Sequence, residues 1–251
     1  MKAFILAAGE GRRMRPHTLA CPKPLLDVDG ATLLERHIGK LASAGITEII
    51  INTSYLGHMI IDAMGDGSRY GVVLHYSHED YPLETAGAIN HALDTLGQDP
   101  FLLVNGDVWS DYDYANLFCN KPVAECVKQG GAHLILVENP DHNPEGDFAL
   151  ASDDRTSALL QPNRGVSALK PQQREGGTKG AHFYTFSGLS LMSPTLVSTY
   201  PRRREAFPLK EVLDWGVLHG RISAEIYSGF WLDVGTPERL QQLRSCFSGA
   251  S

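Results

Sequence analysis
No apolar run in this sequence approaches the roughly 20 residues that a membrane-spanning helix requires, so a helical membrane protein is not expected. The apolar N-terminus is short and ends in Gly-Glu-Gly-Arg, which does not read as a secretory signal. Cysteine is scarce. Cys21, Cys119, Cys126 and Cys246 have neither metal-site spacing nor the look of a disulfide framework, and are expected to be reduced thiols of a cytoplasmic protein. Basic residues are outnumbered, 22 Lys and Arg against 29 Asp and Glu. The resulting net charge of −7 argues against a nucleic-acid partner. No repeat is present, and in particular no hexapeptide repeat of an appended acyltransferase domain. Two well-known glycine loops are missing as well. Met14 stands where a dinucleotide fingerprint needs its third glycine, and no Gly-Lys-Ser/Thr tripeptide of a Walker loop occurs. The histidines are scattered, without a metal or triad pattern.

What remains is an ordinary soluble composition, 43% hydrophobic and 20% charged over 251 residues, enough for one large α/β domain or two small ones. Ala3 to Ala8 reads as a fully buried strand, followed at once by Gly9-Glu10-Gly11. Glycines there let successive backbone N–H groups approach an anion. Arg12, Arg13, Arg15 and Lys23 converge on the same short loop. Pro16 and the Pro22-Lys23-Pro24 triplet stiffen it, because proline fixes its own φ and biases the residue before it. Four cations beside bare amides suit a polyphosphate.

Farther on, helical spacing predicts a helix from Leu33 to Ala44, stopped by Gly45, and a second from Tyr55 to Met64. Strands are expected at Glu48–Thr53, Val72–Tyr76, Phe101–Asn105 and Ala132–Val137, with a helix at Ala86–Leu96. Gly146-Asp147-Phe148 opens another short strand. Residues 152–179 read as a solvated excursion or loop pair with a short strand at Ser157–Leu160. His182–Leu191 is strand-like but broken at Ser187-Gly188. Leu209–His219 is a helix, Ile222–Tyr227 a strand, and Pro237–Phe247 a closing helix with proline in its first turn. Strands alternating with helices imply a Rossmann-like, mainly parallel sheet whose ligands sit beyond the strands' carboxyl ends. Gly9–Gly11 and Gly106-Asp107 should therefore line one crevice. By residue type, Asp107 is a magnesium candidate or an ordinary turn residue, and Asp233 a second carboxylate or part of a helix-start signal.

Leu6-Ala7-Ala8-Gly9-x-Gly11-x-Arg13-Met14-x-Pro16-x-Thr18, followed by Pro22-Lys23-Pro24-Leu25, closely resembles the signature of the sugar-1-phosphate nucleotidyltransferases, which make nucleoside-diphosphate sugars. The resemblance spans the chain. It implies a GT-A-like nucleotidyltransferase fold in a single large domain with two lobes. Residues 1–105 would hold the nucleotide, 106–235 the sugar phosphate, and 237–248 would form the closing helix. It also implies roles. Ala8, Gly9, Gly11, Arg12, Arg13, Lys23, Glu84, Thr85 and Gly87 would bind the nucleotide. Asn105, Gly146, Asp147, Ser187 and Gly188 would bind the sugar phosphate. Asp107 and Asp233 would hold Mg2+, and Arg15, Lys23 and Asp107 would be catalytic. The substrates would be a nucleoside triphosphate and a sugar 1-phosphate, on a monomer or homodimer.

The Glu-Lys-Pro stretch of many hexose-1-phosphate members is absent, with Leu160-Gln161-Pro162 the nearest thing, and this departure is shared by members that transfer UMP from UTP to muramate 1-phosphate. The lactyl carboxylate of such a sugar would want a cation, with Arg164, Lys179 and Lys210 as candidates. Mannose 1-phosphate with GTP is the alternative pair. A non-catalytic regulatory homologue is a further reading, although Arg15, Lys23, Asp107 and Asp233 are all kept. A glycosyltransferase is another, but Asp111-Tyr112-Asp113 lacks the apolar strand leading directly into it that Asp107 has.

Overall fold
The computed structural model describes residues 1–150, 158–159 and 182–248. Its strands in chain order are β1 (Lys2–Leu6), β2 (Asp27–Val28), β3 (Ala31–Thr32), β4 (Glu48–Thr53), β5 (Val73–His78), β6 (Phe101–Asn105) and β7 (Val108–Ser110). There follow β8 (Ala132–Val137), β9 (Phe148–Ala149), β10 (Ala158–Leu159), β11 (Phe183–Met192), β12 (Ile222–Ile226) and β13 (Trp231–Asp233). The helices are α1 (Leu33–Ser43), α2 (Gly57–Met64), α3 (Glu84–His91), α4 (Leu93–Leu96) and α5 (Ala115–Cys119). After them come α6 (Lys121–Lys128), α7 (Pro194–Ser198), α8 (Leu209–Leu218) and α9 (Pro237–Ser248). No helix among the described residues is long and apolar enough to cross a membrane.

One mixed sheet runs in the order β10-β12-β8-β11-β6-β1-β4-β5, with β9 paired to β11. β6, β1, β4 and β5 are parallel neighbours, so they end on one edge, with Leu6 opposite both Asn52 and Asn105. β11 inserts antiparallel between β6 and β8. The continuous apolar runs are explained by burial on both faces. Phe4, Ile50, Phe101 and Leu103 pack toward α3, α7 and α8 through Ile89, Leu196 and Val212. Ala3, Ile5, Ile49, Ile51 and Leu102 pack on the other side with Leu34, Ile38, Leu41 and Ile60 of α1 and α2. α1 starts with a capping box in which Thr32 and Glu35 exchange side-chain and backbone hydrogen bonds, an arrangement worth about 1 kcal/mol.

A third cluster ties the chain's two ends together. Leu240 and Leu243 of α9 bury against Met14, Val28, Leu33, Leu232 and Val234. Each such leucine contributes about 1.5–3 kcal/mol of burial. The closing helix is thereby fixed to the glycine loop.

Most expected elements appear at or near their expected bounds; β2, β3, α5, α6 and α7 have no counterpart among the expected elements, and three further differences are physical. β11 runs unbroken through Ser187-Gly188, accommodating them with a register shift against β8 between Phe186 and Ser190. The expected helix Ala86–Leu96 begins two residues earlier, at Glu84, and is divided into α3 and α4. The short ribbon β7–β13 was not foreseen. Of the 152–179 excursion, only Ala158–Leu159 is described, paired antiparallel with β12. The rest of it, including Leu160-Gln161-Pro162, Arg164 and Lys179, lies outside the described residues.

Candidate active site
The parallel edge formed by β1, β4 and β6 opens into a cleft of about 410 Å³. Its phosphate-loop wall is Ala8, Gly9, Gly11, Arg12, Arg13 and Lys23; Glu84 and Thr85 form the opposite wall, and Asn105, Gly106 and Asp107 the floor at the end of β6. Gly11 has φ +62, and a Cβ there would stand 2.9 Å from Thr18 Cγ2. Only glycine fits that turn without strain. Thr18 Oγ1 donates to the Gly11 carbonyl at 2.8 Å and pins the loop. At Gly106 a Cβ would lie 2.6 Å from the Leu6 carbonyl oxygen, so glycine is what lets the Asp107 segment cross behind the phosphate loop.

Lys23, held in a short 3₁₀ turn between its two prolines, is buried, and its Nζ donates to Asp107 Oδ2 at 2.8 Å. Burial alone would push the Asp107 carboxyl up; the charge and hydrogen bond of Lys23, aided by Arg13, outweigh that and hold it below its ordinary value. The other cations divide. Arg12 and Arg13 both reach the cleft lining, Arg12 also pairing with Glu10 at 2.6 Å with its side chain 74% exposed. Arg15 is outside the lining, 3.8 Å from the same Glu10. The expected convergence of four cations is thus one buried lysine, Lys23, and three exposed arginines, of which Arg12 and Arg13 line the cleft and Arg12 and Arg15 share Glu10.

The β7–β13 ribbon brings the second carboxylate across. Asp233 pairs with Val108, and Val234 N donates to the Asp107 carbonyl at 2.8 Å, so the two acids sit side by side along the backbone. Asp233 Oδ2 accepts from Arg239 Nη1 at 3.0 Å and lies 3.2 Å from His142 Nε2, while its Oδ1 is buried without a hydrogen-bond partner among the described residues. Among the described residues no three His, Cys, Asp or Glu side chains are grouped to hold a metal. Two carboxylates carried on paired backbone segments, one with an orphaned oxygen, nonetheless fit a hard cation that draws its remaining ligands from phosphate oxygens and water.

At the end of β6, Asn105 and Gly188 touch closely. Gly188 has φ +82, and a Cβ there would be 2.7 Å from Asn105 Nδ2. Trp231 Nε1 donates to the Ser187 carbonyl at 2.9 Å, joining this pair to the ribbon. Gly146 and Asp147 are not in the cleft lining; Asp147 Oδ2 accepts from Phe186 N at 2.9 Å and braces its loop onto β11. Lys210 pairs with Asp214 at 3.0 Å. Gly87 also lies off the cleft. Its N–H and that of Ala86 both donate to the Phe207 carbonyl, and a Cβ would strike the Glu205 carbonyl oxygen, so these helix-start amides serve packing rather than a ligand.

Sequence reasoning missed Asn52 and Glu79, which line the cleft and are each 3% exposed. Asn52 Oδ1 accepts from Ala7 N at 2.6 Å, Asn52 Nδ2 donates to Glu79 Oε1 at 2.7 Å, and Glu79 Oε2 accepts from Leu83 N at 3.1 Å. This chain links the phosphate loop to the start of α3. The signal was an amide ending an otherwise apolar strand, at the edge where ligands bind.

A Rossmann-like sheet with a glycine-rich basic loop, a buried lysine and two ribbon-linked carboxylates at one edge defines an α/β enzyme scaffold whose cleft suits a nucleotide. The nucleotidyl transferase family model matches residues 2–246, and the chain belongs to that family. The chain is 44% identical over 246 residues to the N-acetylmuramate alpha-1-phosphate uridylyltransferase of Neisseria meningitidis, covering 98% of this chain and 97% of that one. It is 30% identical over 240 residues to the mannose-1-phosphate guanylyltransferase of Mycobacterium tuberculosis, of whose length it spans 61%. In fold it matches HddC from Yersinia pseudotuberculosis complexed with GMP-PN, with a TM-score of 0.70, 22% identity, and coverage of 98% and 99%. A Bacillus anthracis protein crystallised with sucrose matches at a TM-score of 0.77 and 24% identity, over 98% of this chain and 94% of that one.

Proposed function
We propose that this enzyme transfers UMP from UTP to N-acetylmuramate 1-phosphate, releasing pyrophosphate and giving the UDP-sugar, in the cytoplasmic recycling of cell-wall sugars. The observation that carries the reading is the buried Lys23 beside Asp107, where the phosphate loop and the end of β6 meet. In the reaction an oxygen of the sugar phosphate attacks the α-phosphorus while the bond to the pyrophosphate oxygen breaks. No general base is required, since the attacking oxygen is already anionic. The barrier is repulsion between anions plus positioning, and fixed charge lowers it.

Residues 1–105 would hold the nucleotide. The amides of Ala8, Gly9 and Gly11 would receive its phosphates, with Lys23 and Arg13 neutralising them. Arg15 would swing from Glu10 to the departing pyrophosphate. Glu79, which offers only acceptor oxygens, suits a base with a ring N–H, such as uracil or guanine. Residues 106–235 would hold the sugar phosphate together with Asn105, which lines the cleft, and with Gly188, which packs against Asn105, and Ser187 beside it. Asp107 and Asp233 would hold Mg2+, whose charge would offset that developing on the phosphate oxygens.

Support for the muramate sugar comes from the Neisseria relative and from the missing Glu-Lys-Pro stretch. Mannose 1-phosphate with GTP is the second reading, favoured by the mannose-type relatives and by an acceptor that would also take guanine. The deciding experiment is magnesium-dependent pyrophosphate release across five nucleoside triphosphates crossed with a panel of sugar 1-phosphates. Turnover confined to UTP with the muramate sugar is expected. Another productive pair would keep the mechanism and replace the substrate, and silence from folded protein would refute the activity.

A further inference from the structure
Arg239 takes no part in the reaction outlined above, yet it lies against the candidate metal carboxylate. Its Nη1 donates to Asp233 Oδ2 at 3.0 Å and stands 3.1 Å from His142 Nδ1. The pair is well covered, with side chains 17% and 16% exposed. A Cβ built on Gly235, which lines the cleft, would be 2.8 Å from Arg239 Nη2, 2.9 Å from Asp233 Oδ1 and 3.2 Å from Arg13 Nη2. Two guanidinium groups, one from the phosphate loop and one from α9, therefore meet the carboxylate at a single glycine on the cleft wall.

Asp107 also carries a seated cation, since its Oδ2 is held by the buried Lys23, although its own side chain is more open than that of Asp233. A buried carboxylate without a counter-charge is costly, and a cation already seated on it must give way before a metal can use the same oxygen. The backbone that carries Arg239 cannot move far, because Leu240 and Leu243 anchor that turn of α9 in the third apolar cluster. Its long side chain can swing.

We propose that Arg239 is an internal placeholder for the divalent cation. It competes with the metal for Asp233 and, once displaced, turns toward an anionic oxygen of the substrates on the same wall. The proposal rests on reading Asp107 and Asp233 as the metal carboxylates. Its consequence is that the protein alone binds the metal weakly, and metal and anionic substrate are taken up together.

The test is a Mn2+ titration of nucleotide-free protein followed by electron paramagnetic resonance, with melting curves on the same samples. Arg239→Met should bind Mn2+ roughly tenfold or more tightly than the parent, because one neighbouring positive charge is gone. Arg239→Lys should show a smaller but measurable gain, because its shorter, single-headed cation holds Asp233 less closely, and it serves in place of the methionine variant if that one does not fold. Unchanged or weaker Mn2+ affinity in folded variants overturns the placeholder. Asp233→Asn separates the two ideas. If it leaves Mn2+ binding intact, the metal assignment itself is wrong; if it abolishes binding while the Arg239 variants stay flat, only the placeholder fails.

Discussion
Lys23 and Asp107 are the two side chains on which the site's charge balance turns, and both were legible because their neighbours are constrained. Flanking prolines fix Lys23, and a glycine after a buried strand aims Asp107 out of the sheet edge. Replacing either with alanine should lower turnover on the order of 10²–10³-fold, the scale seen when preorganised charge is lost. Steady-state pyrophosphate release measures this, and near-normal rates would remove the residue from its role. Asn52 and Glu79 were not legible. Their importance lies in hydrogen bonds to Ala7 N and Leu83 N, and such pairings follow from which strands are neighbours. The place of Gly87 outside the cleft lining was not legible for the same reason, as the Phe207 carbonyl that takes its N–H arrives from a distant loop.

Two elements position the catalytic edge. In β11, the bulged stretch places Gly188 against Asn105, and Gly188→Ala should cost about 1–2 kcal/mol from its left-handed backbone alone. It should also push Asn105 aside, raising KM for the sugar phosphate more than it lowers kcat; equal effects on both would argue against Asn105 as a binding residue. In α1, His37 is buried beside Trp109, and neither ring nitrogen has a hydrogen-bond partner among the described residues. Burial, with Lys40 nearby, pushes its pKa down to about 4. The folded state thus prefers the neutral ring. Above the ordinary value of 6.5 there is no penalty. As pH falls from 6.5 toward 4 the unfolded chain takes up a proton that the folded one refuses, and stability drops by on the order of 3 kcal/mol. The parent's melting temperature should therefore fall more steeply over that range than that of His37→Leu. Parallel curves would mean the ring is not buried neutral. Strands such as Glu48–Thr53 were readable to the residue because apolar runs buried on two faces admit one interpretation. The three-residue β7 and β13 were not, since neither is long enough to carry a period.

At the scale of the molecule, the cleft joins the phosphate loop, the end of β6 and the first turn of α3, so a ligand filling it cross-links separate parts of the chain. Mg2+ with UTP at 100 times its Kd should stabilise the fold by about 2.7 kcal/mol, a rise in melting temperature of roughly 5–10 °C for a domain of this size. Mg2+ with ATP at the same concentration should do much less, as adenine offers no ring N–H to Glu79. Equal shifts would take base selection away from that carboxylate.

The sequence by itself determined the layered α/β architecture, the glycine loop and the identity of its charged groups. Those follow from local rules: apolar periodicity, proline and glycine stereochemistry, and the placement of polar residues directly after buried strands. Only the tertiary structure decided which cations face the cleft and which are left in solvent. It also set the pairing of β7 with β13 that puts Asp233 beside Asp107, and the seating of Arg239 on Asp233. Each of these depends on contacts between segments far apart in the chain. Residue type gives no such distances, because they are fixed by which strands become neighbours and by the burial of α9 against the phosphate loop.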